Sequence, residues 1–279
     1  MPFVNVTDAR LYYESYGKGR PLVLMHSAWA SHEWWQWQIP ELSRAYRVYS
    51  FDARGHGKST PLGDIFSVAG FTRDLEIFLQ RLQIEEAVLI GWSMGGIIAM
   101  QHCLDHPTNV KALVLIATSG HRIPRLKLKI YSHYFEALLG LLMDFTQPRK
   151  YDRSAQQFPR QNLWLEHQVR NMLSPAASQE VFDWVAADIR DNPRENFFKV
   201  IKSLWNWEAA DRLSQITVPT LIIAGENDTL APPRFSRMLH DAISNSKLRV
   251  VENTSHYLML ERPELVNTEI LQFLESIGY

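Results

Sequence analysis

This sequence of 279 residues has a single cysteine and almost no excess of charge of either sign. Cys103 is the single cysteine, so the chain cannot form an intrachain disulfide, and this fits a reducing compartment. The formal net charge is −1, so the sequence lacks the basic excess that is typical of nucleic-acid-binding proteins. We therefore expect no nucleic-acid partner.

The sequence also has no apolar run long enough to cross a membrane. Its most apolar stretch, residues 134–145, is too short to span a bilayer and contains Glu136 and Asp144. The first five residues lack the basic and apolar regions of a secretory signal. We therefore expect a cytoplasmic protein with no membrane partner, and 46% hydrophobic residues are enough to bury a large core.

Short apolar runs alternate with amphipathic stretches over the first 120 residues and again after residue 220. Runs such as PLVLM at 21–25 are typical of parallel strands that are buried on both faces. The pattern predicts strands at 4–6, 11–16, 21–25, 46–51, 87–90, 112–117, 220–224 and 248–251, and helices at 33–43, 71–82, 94–106, 232–242 and from 263. This alternation predicts an α/β fold with a mostly parallel, eight-stranded sheet between helices.

Residues 121–207 break the alternation. They contain no convincing buried strand, and their apolar residues follow helical periods near 126–145, 160–173, 176–190 and 194–206. We therefore predict a helical cap, residues 121–207, inserted between strands 6 and 7. The core domain would consist of residues 1–120 and 208–279.

The strongest chemical motif is the segment GWSMGG at 91–96, which follows an apolar strand and precedes a helix. This is the context of a G-x-S-x-G nucleophile elbow, in which a tight turn projects the hydroxyl of Ser93 into a cleft. Gly91 and Gly95 are predicted to leave room that side chains would fill. The N-terminus of the following helix favours negative charge, which makes the amide of Met94 a candidate oxyanion donor.

A serine nucleophile needs a base, and the base needs an acid that orients it. His256 follows the last predicted strand, at the sheet edge where open α/β sheets place their sites. The acid is expected after a strand and between the serine and the histidine in sequence. Asp228 meets both conditions, and Glu226 is the alternative.

Four segments together resemble the α/β-hydrolase superfamily, and the resemblance extends over nearly the whole chain. They are GWSMGG at 91–96, DARGHGKS at 52–59, GENDTLAP at 225–232 and SHYLMLERPE at 255–264. The similar branch has a helical cap and includes esterases, enol-lactonases, carbon–carbon bond hydrolases and cofactor-free haloperoxidase-like enzymes. Dehalogenases and epoxide hydrolases of this fold have aspartate where this chain has Ser93, so the resemblance disfavours both.

The resemblance also implies a second oxyanion donor. Similar proteins read His-Gly-x after the third strand, and the residue after the glycine donates its amide. Here the segment reads His26-Ser27-Ala28-Trp29, so Ala28 is the expected donor. Serine in place of glycine costs energy if the loop needs a positive φ there, and a differently shaped loop would make Trp29 the donor instead.

Other segments have less specific interpretations. The substrate pocket is expected to include Trp29, Trp92 and His121. The loop at 52–59, with two glycines and short polar residues, is interpreted as scaffold. His102 and His106 have a spacing that suits a metal, but no third ligand is apparent, so we interpret them as packing residues and expect no metal.

The leading hypothesis is hydrolysis of a carboxylic ester or lactone through an acyl-enzyme, without a cofactor. Carbon–carbon bond hydrolysis, perhydrolysis of the haloperoxidase kind and lyase chemistry can use the same residues, and the fold does not separate these reactions. A non-catalytic ligand receptor is a third hypothesis. The presence of a candidate for every catalytic role argues against it.

Overall fold

A single twisted sheet forms the centre of the molecule. The computed structural model describes residues 2–60, 67–120, 169–191 and 194–279. Within these ranges eight strands pair in the order β1-β2-β4-β3-β5-β6-β7-β8. They are β1 Phe3–Asn5, β2 Arg10–Tyr16, β3 Pro21–Met25, β4 Arg47–Phe51, β5 Ala87–Trp92, β6 Val110–Ile116, β7 Thr220–Gly225 and β8 Ser246–Val251. The predicted strands are confirmed, and their ends differ by no more than about two residues.

The direction of the strands places the site. Strand β2 is antiparallel to its neighbours β1 and β4, and every later pairing in the described sheet is parallel. The carboxyl ends of β3 to β8 therefore meet at one edge. In open α/β sheets this edge carries the ligand site, and every segment predicted to hold a catalytic residue starts there.

Helices cover both faces of the sheet because alternate strand residues point to opposite sides. Leu22 and Leu24 of β3 belong to one core cluster, whereas Val23 and Met25 belong to the other. The helices are α1 Ile39–Leu42, α2 Val68–Arg81, α3 Met94–Asp105, α4 Gln179–Asp191, α5 Arg194–Trp205, α6 Pro233–Ala242, α7 Leu258–Glu261 and α8 Pro263–Ser276. Helices α1 and α8 pack on the first cluster, and α2, α3 and α6 pack on the second.

The prediction of a single helix at 33–43 is wrong. The chain forms a short 3-10 helix, His32–Trp35, and then starts again with α1 at Ile39. Pro40 is the second residue of α1. Proline has no amide hydrogen for a bond to the preceding turn, so it is tolerated at the start of a helix and disfavoured in its interior.

Between β6 and β7 most of the described residues lie in helices. Helices α4 and α5 confirm the predictions at 176–190 and 194–206, whereas the helix predicted at 126–145, most of the one at 160–173 and His121 lie outside the described residues. The amide of Ala209 donates to the carbonyl of Gly120 at 3.1 Å, so the insertion leaves and rejoins the sheet at one point. The division into a core domain and a cap stays a prediction.

None of the helices in the described ranges is long and apolar enough to cross a membrane.

Candidate active site

Ser93 lies on the turn between β5 and α3, in the position that the nucleophile-elbow motif predicts. Its backbone has φ 53° and ψ −111°, in the left-handed half of conformational space, where a residue with a Cβ is strained. Two hydrogen bonds hold the turn. The Ser93 amide donates to the carbonyl of Ile116 at 2.9 Å, and the Thr118 hydroxyl donates to the Ser93 carbonyl at 2.7 Å.

The glycines on either side of Ser93 allow the backbone to pack this tightly. A Cβ at Gly95 would lie 2.1 Å from the carbonyl oxygen of Met25, at the end of β3. A Cβ at Gly91 would lie 2.3 Å from the carbonyl carbon of Gly95. Both positions therefore exclude any side chain. The glycine at 95 also lets the N-terminus of α3 approach the loop that begins at His26.

We expect the Gly95→Ala substitution to destabilise the fold by about 3 kcal/mol or more, because its methyl group meets backbone that no rotamer can move away. Urea unfolding followed by circular dichroism measures this change. A Gly95→Ala protein as stable as the wild type would show that α3 can move away from β3 at little cost.

His256 and Asp228 form a buried pair at the carboxyl edge of the sheet. The Nδ1 atom of His256 lies 2.8 Å from Oδ2 of Asp228, and the two side chains are 6% and 0% exposed. The other carboxylate oxygen, Oδ1, accepts the amides of Leu230 and Ala231, each at 2.8 Å. A carboxylate only accepts hydrogen bonds, so Nδ1 carries the proton and Nε2 is left free to accept one.

The alternative acid, Glu226, lies in a different environment. Its carboxylate accepts the amide of Asn253 at 3.0 Å and so braces the turn after β8. The geometry thus brings Asp228 and not Glu226 to the imidazole of His256. Sequence position alone left this choice open.

The loop that carries His256 is pressed against the end of β7. A Cβ at Gly225 would lie 2.1 Å from the carbonyl oxygen of Ser255. The amide of Asn227 donates to the carbonyl of Thr254 at 2.8 Å, which joins the two loops. The close contact at Gly225 therefore sets the distance between the candidate acid and the candidate base.

Trp92 contacts the backbone of His256. Its indole Nε1 donates to the carbonyl oxygen of His256 at 3.0 Å, and its ring stacks on Trp34 with centroids 5.0 Å apart. Trp92 is 1% exposed and packs within the core cluster, and its place in the wall of the substrate pocket stays a prediction. Tyr257 packs on the same indole, and burial beside Asp228 raises the pKa of its phenol above the usual value.

The candidate oxyanion donors lie at the start of α3 and in the loop after β3. Gly96 makes the first intrahelical bond to the Ser93 carbonyl, so the amide of Met94 precedes the helical hydrogen bonds. In the loop, the left-handed residue is Trp29, with φ 64°, and Ser27 does not have a positive φ. The serine that replaces the usual glycine is therefore not strained by its backbone. Ala28 and the half-buried Trp29 remain the candidates for the second donor.

His26 is a structural residue. Its Nε2 accepts the amide of Ala53 at 2.9 Å, and its Nδ1 lies 2.7 Å from the carbonyl of Ser27. Burial, together with the nearby ring of His56, lowers the pKa of His26 to about 3, so it stays neutral. His26 thereby ties the loop after β3 to the loop at 52–59.

Asp52 anchors the 52–59 loop, as a scaffold interpretation requires. Its Oδ1 accepts both the amide and the Nδ1 of His32, at 2.6 and 2.8 Å, and its Oδ2 accepts the amide of Lys58 at 2.9 Å. Burial opposes ionisation of Asp52, but the hydrogen bonds from His32 outweigh it and hold the pKa of the carboxyl below its usual value. Asp52 thus joins the loop at 52–59 to the 3-10 helix that begins at His32.

His102 is a residue of α3 whose side chain packs in the core of the protein. It is fully buried, and burial lowers its pKa to about 4. Within the part of the chain that the structure describes, no group of three or more His, Cys, Asp or Glu residues could hold a metal ion.

Comparison with known proteins identifies the family. The family model described as alpha/beta hydrolase fold matches residues 20–263, and the chain therefore belongs to the α/β-hydrolase family. The non-heme haloperoxidase of Rhodococcus erythropolis is 27% identical over 99% of this chain and 100% of that protein. The AB hydrolase superfamily protein YisY of Bacillus subtilis is 26% identical over 95% of this chain and 96% of its own length.

Among solved structures, Est816, an N-acyl homoserine lactone degrading enzyme, is similar over 98% of this chain and 100% of its own. The TM-score is 0.80 and the identity is 26%. The predicted fold class and branch are confirmed.

Proposed function

We propose that this protein hydrolyses a carboxylic ester or lactone through an acyl-enzyme, with Ser93 as nucleophile, His256 as base and Asp228 as the residue that orients the base. The observation that carries the proposal is the buried hydrogen bond from His256 Nδ1 to Asp228, close to the strained elbow of Ser93, whose neighbour Trp92 donates to the His256 carbonyl. The hydrogen bond leaves Nε2 free to accept a proton, and the elbow exposes a hydroxyl.

In the proposed reaction the Oγ atom of Ser93 attacks the substrate carbonyl carbon, and its proton passes to Nε2 of His256. The resulting imidazolium is stabilised by the negative charge of Asp228. Collapse of the tetrahedral intermediate breaks the ester bond, and the leaving oxygen takes the proton from His256. A water molecule then gives a proton to His256, attacks the acyl-enzyme and releases the carboxylic acid, while Ser93 recovers its proton.

The negative oxygen of each intermediate needs donors in place before the reaction. We assign the amide of Met94 as the first donor, because it lies at the N-terminus of α3, where the helix favours negative charge. Ala28 is our choice for the second donor, since it lies in the loop after β3, which the hydrogen bond between His26 and the Ala53 amide holds in position. Trp29 would border the same space.

The substrate class rests on chemistry and on the relatives. One similar structure belongs to an enzyme that degrades N-acyl homoserine lactones. One relative is a haloperoxidase, which supports perhydrolysis on the same residues as a second candidate. We propose a small-molecule ester or lactone as the substrate, no resident cofactor, a cytoplasmic location and a cap at residues 121–207 over the site.

A two-part experiment tests the proposal. A fluorophosphonate probe is expected to label Ser93, as read by peptide mass spectrometry. A panel of short aryl esters, lactones and vinylogous diketones, each with and without hydrogen peroxide, then ranks the reactions by kcat/KM. Ester or lactone turnover is expected to lead. Labelling at another serine, or turnover of the diketones alone, would contradict the assignment.

A further inference from the structure

Glu261, the last residue of α7, contacts the loop of the candidate base. Its Oε2 atom accepts the amide of Ser255 at 2.8 Å, and its Oε1 atom accepts the hydroxyl of the same serine at 2.8 Å. Oε1 also accepts the amide of Ser174 at 2.6 Å. The carboxylate of Glu261 therefore accepts three hydrogen bonds, and none of the three donors belongs to α7. The sequence motif at 255–264 contains Glu261, but nothing in the pattern indicated these contacts.

The Ser255 side chain also connects Glu261 to Tyr257, the residue on the other side of His256. Its hydroxyl oxygen accepts the amide of Tyr257 at 3.1 Å while it donates to Glu261. The residues before and after His256 are thus both tied to the carboxylate, one directly and one through a hydroxyl. The carbonyl of Ser255 also lies against Gly225, so a shift at Ser255 would change how the base meets Asp228.

The third donor belongs to the insertion between β6 and β7. Ser174 follows Val169 and Leu173, which are buried in the same core cluster as Tyr257 and Leu258. Through Ser174 the returning segment of the insertion is therefore joined to the helix that follows His256. Packing brings the two segments together, and the carboxylate of Glu261 supplies a charged acceptor for the Ser174 amide.

We propose that Glu261 is a positioning residue that holds the loop of His256 in its working geometry and fixes it to the insertion. The proposal rests on the function proposed above, because the loop matters only if His256 acts as the base. Glu261 acts through Ser255 and does not itself touch the reacting atoms. Misplacement of a catalytic group by about 1 Å can lower a rate by roughly 10²-fold.

Glutamine is the sharpest substitution at this position. A carboxylate has two oxygens that only accept, whereas an amide has one oxygen that accepts and one nitrogen that only donates. In Glu261→Gln either the Ser255 amide or the Ser174 amide would face another donor. Size and helix propensity are nearly unchanged. Glu264→Gln is the matched control, because that carboxylate is exposed in the first turn of α8.

The experiment compares both variants with the wild type on one aryl ester. We expect Glu261→Gln to lower kcat by about 10- to 100-fold while KM changes by less than about 3-fold, and Glu264→Gln to change neither. Thermal unfolding and active-site titration with the fluorophosphonate measure the folded fraction, so kcat is given per folded molecule. Ser255→Ala removes one of the three donors and is expected to give a smaller loss of kcat in the same direction.

A readout that does not depend on turnover separates this proposal from the proposed function. The Nδ1 proton of His256, hydrogen-bonded to Asp228, is expected as a downfield proton NMR signal that Asp228→Asn removes. Glu261→Gln should shift or broaden this signal, and Glu264→Gln should not. An unchanged signal together with an unchanged kcat per folded molecule would overturn the role of Glu261. If wild-type turnover does not depend on Ser93, the proposed function fails, while the NMR signal still reports whether Glu261 positions His256.

Discussion

Replacement of Asp228 by asparagine is expected to lower kcat by about 10⁴-fold, the loss that the same change causes in a serine protease. The reason lies in the two amides that bind Oδ1. Leu230 and Ala231 both donate to this oxygen, so the asparagine oxygen is expected to stay with them. The new NH₂ group must then face Nδ1 of His256. A donor at that position favours the tautomer with its proton on Nε2, which cannot take the proton of Ser93.

Glu226→Gln is the matched control, because it makes the same chemical change two residues away. Its carboxylate contacts the amide of Asn253 rather than the imidazole, so its loss of activity is expected to be small. Steady-state kinetics on one ester compares the two variants. A larger loss in Glu226→Gln than in Asp228→Asn would move the acid to Glu226.

Replacement of Ser93 by glycine is expected to abolish turnover and, at the same time, to stabilise the fold. Ser93 has φ 53°, which is strained for a residue with a Cβ and readily adopted by glycine. Strain of this kind costs roughly 1–3 kcal/mol, and the added flexibility of glycine in the unfolded chain offsets part of the gain. We expect the free energy of unfolding to rise by about 1 kcal/mol.

Ser93→Ala is the comparison that separates the hydroxyl from the strain. Alanine keeps the Cβ and removes the Oγ atom, so turnover and fluorophosphonate labelling should be lost with little change in stability. Urea unfolding of the two variants and the wild type measures the difference. Undiminished activity in either folded variant would contradict Ser93 as the nucleophile, and a glycine variant no more stable than alanine would contradict the strain.

The sequence by itself determined the sheet and the elbow. Strands buried on both faces need uninterrupted apolar runs, and such runs are readable without any knowledge of contacts. The turn at Ser93 needs glycine at 91 because the backbone of Gly95 lies against it, and this local steric constraint is recorded in the motif. The glycine at 95 meets the same need against the backbone of Met25 in β3. The order of Ser93, Asp228 and His256 along the chain follows from the order of the strands that carry them.

Only the tertiary structure decided questions that depend on segments distant in sequence. Asp228 and Glu226 both follow β7, and the orientation of the turn after it brings one to His256 and the other to Asn253. The place of Trp92 beside Ser93 in the sequence does not show how buried it is. Its side chain is 1% exposed, with Trp34 and Tyr257 packed against it. The contact of Glu261 with Ser174 spans 87 residues and depends on how the insertion packs against α7. Local sequence carries no record of such a contact, because neither residue needs the other until the chain has folded.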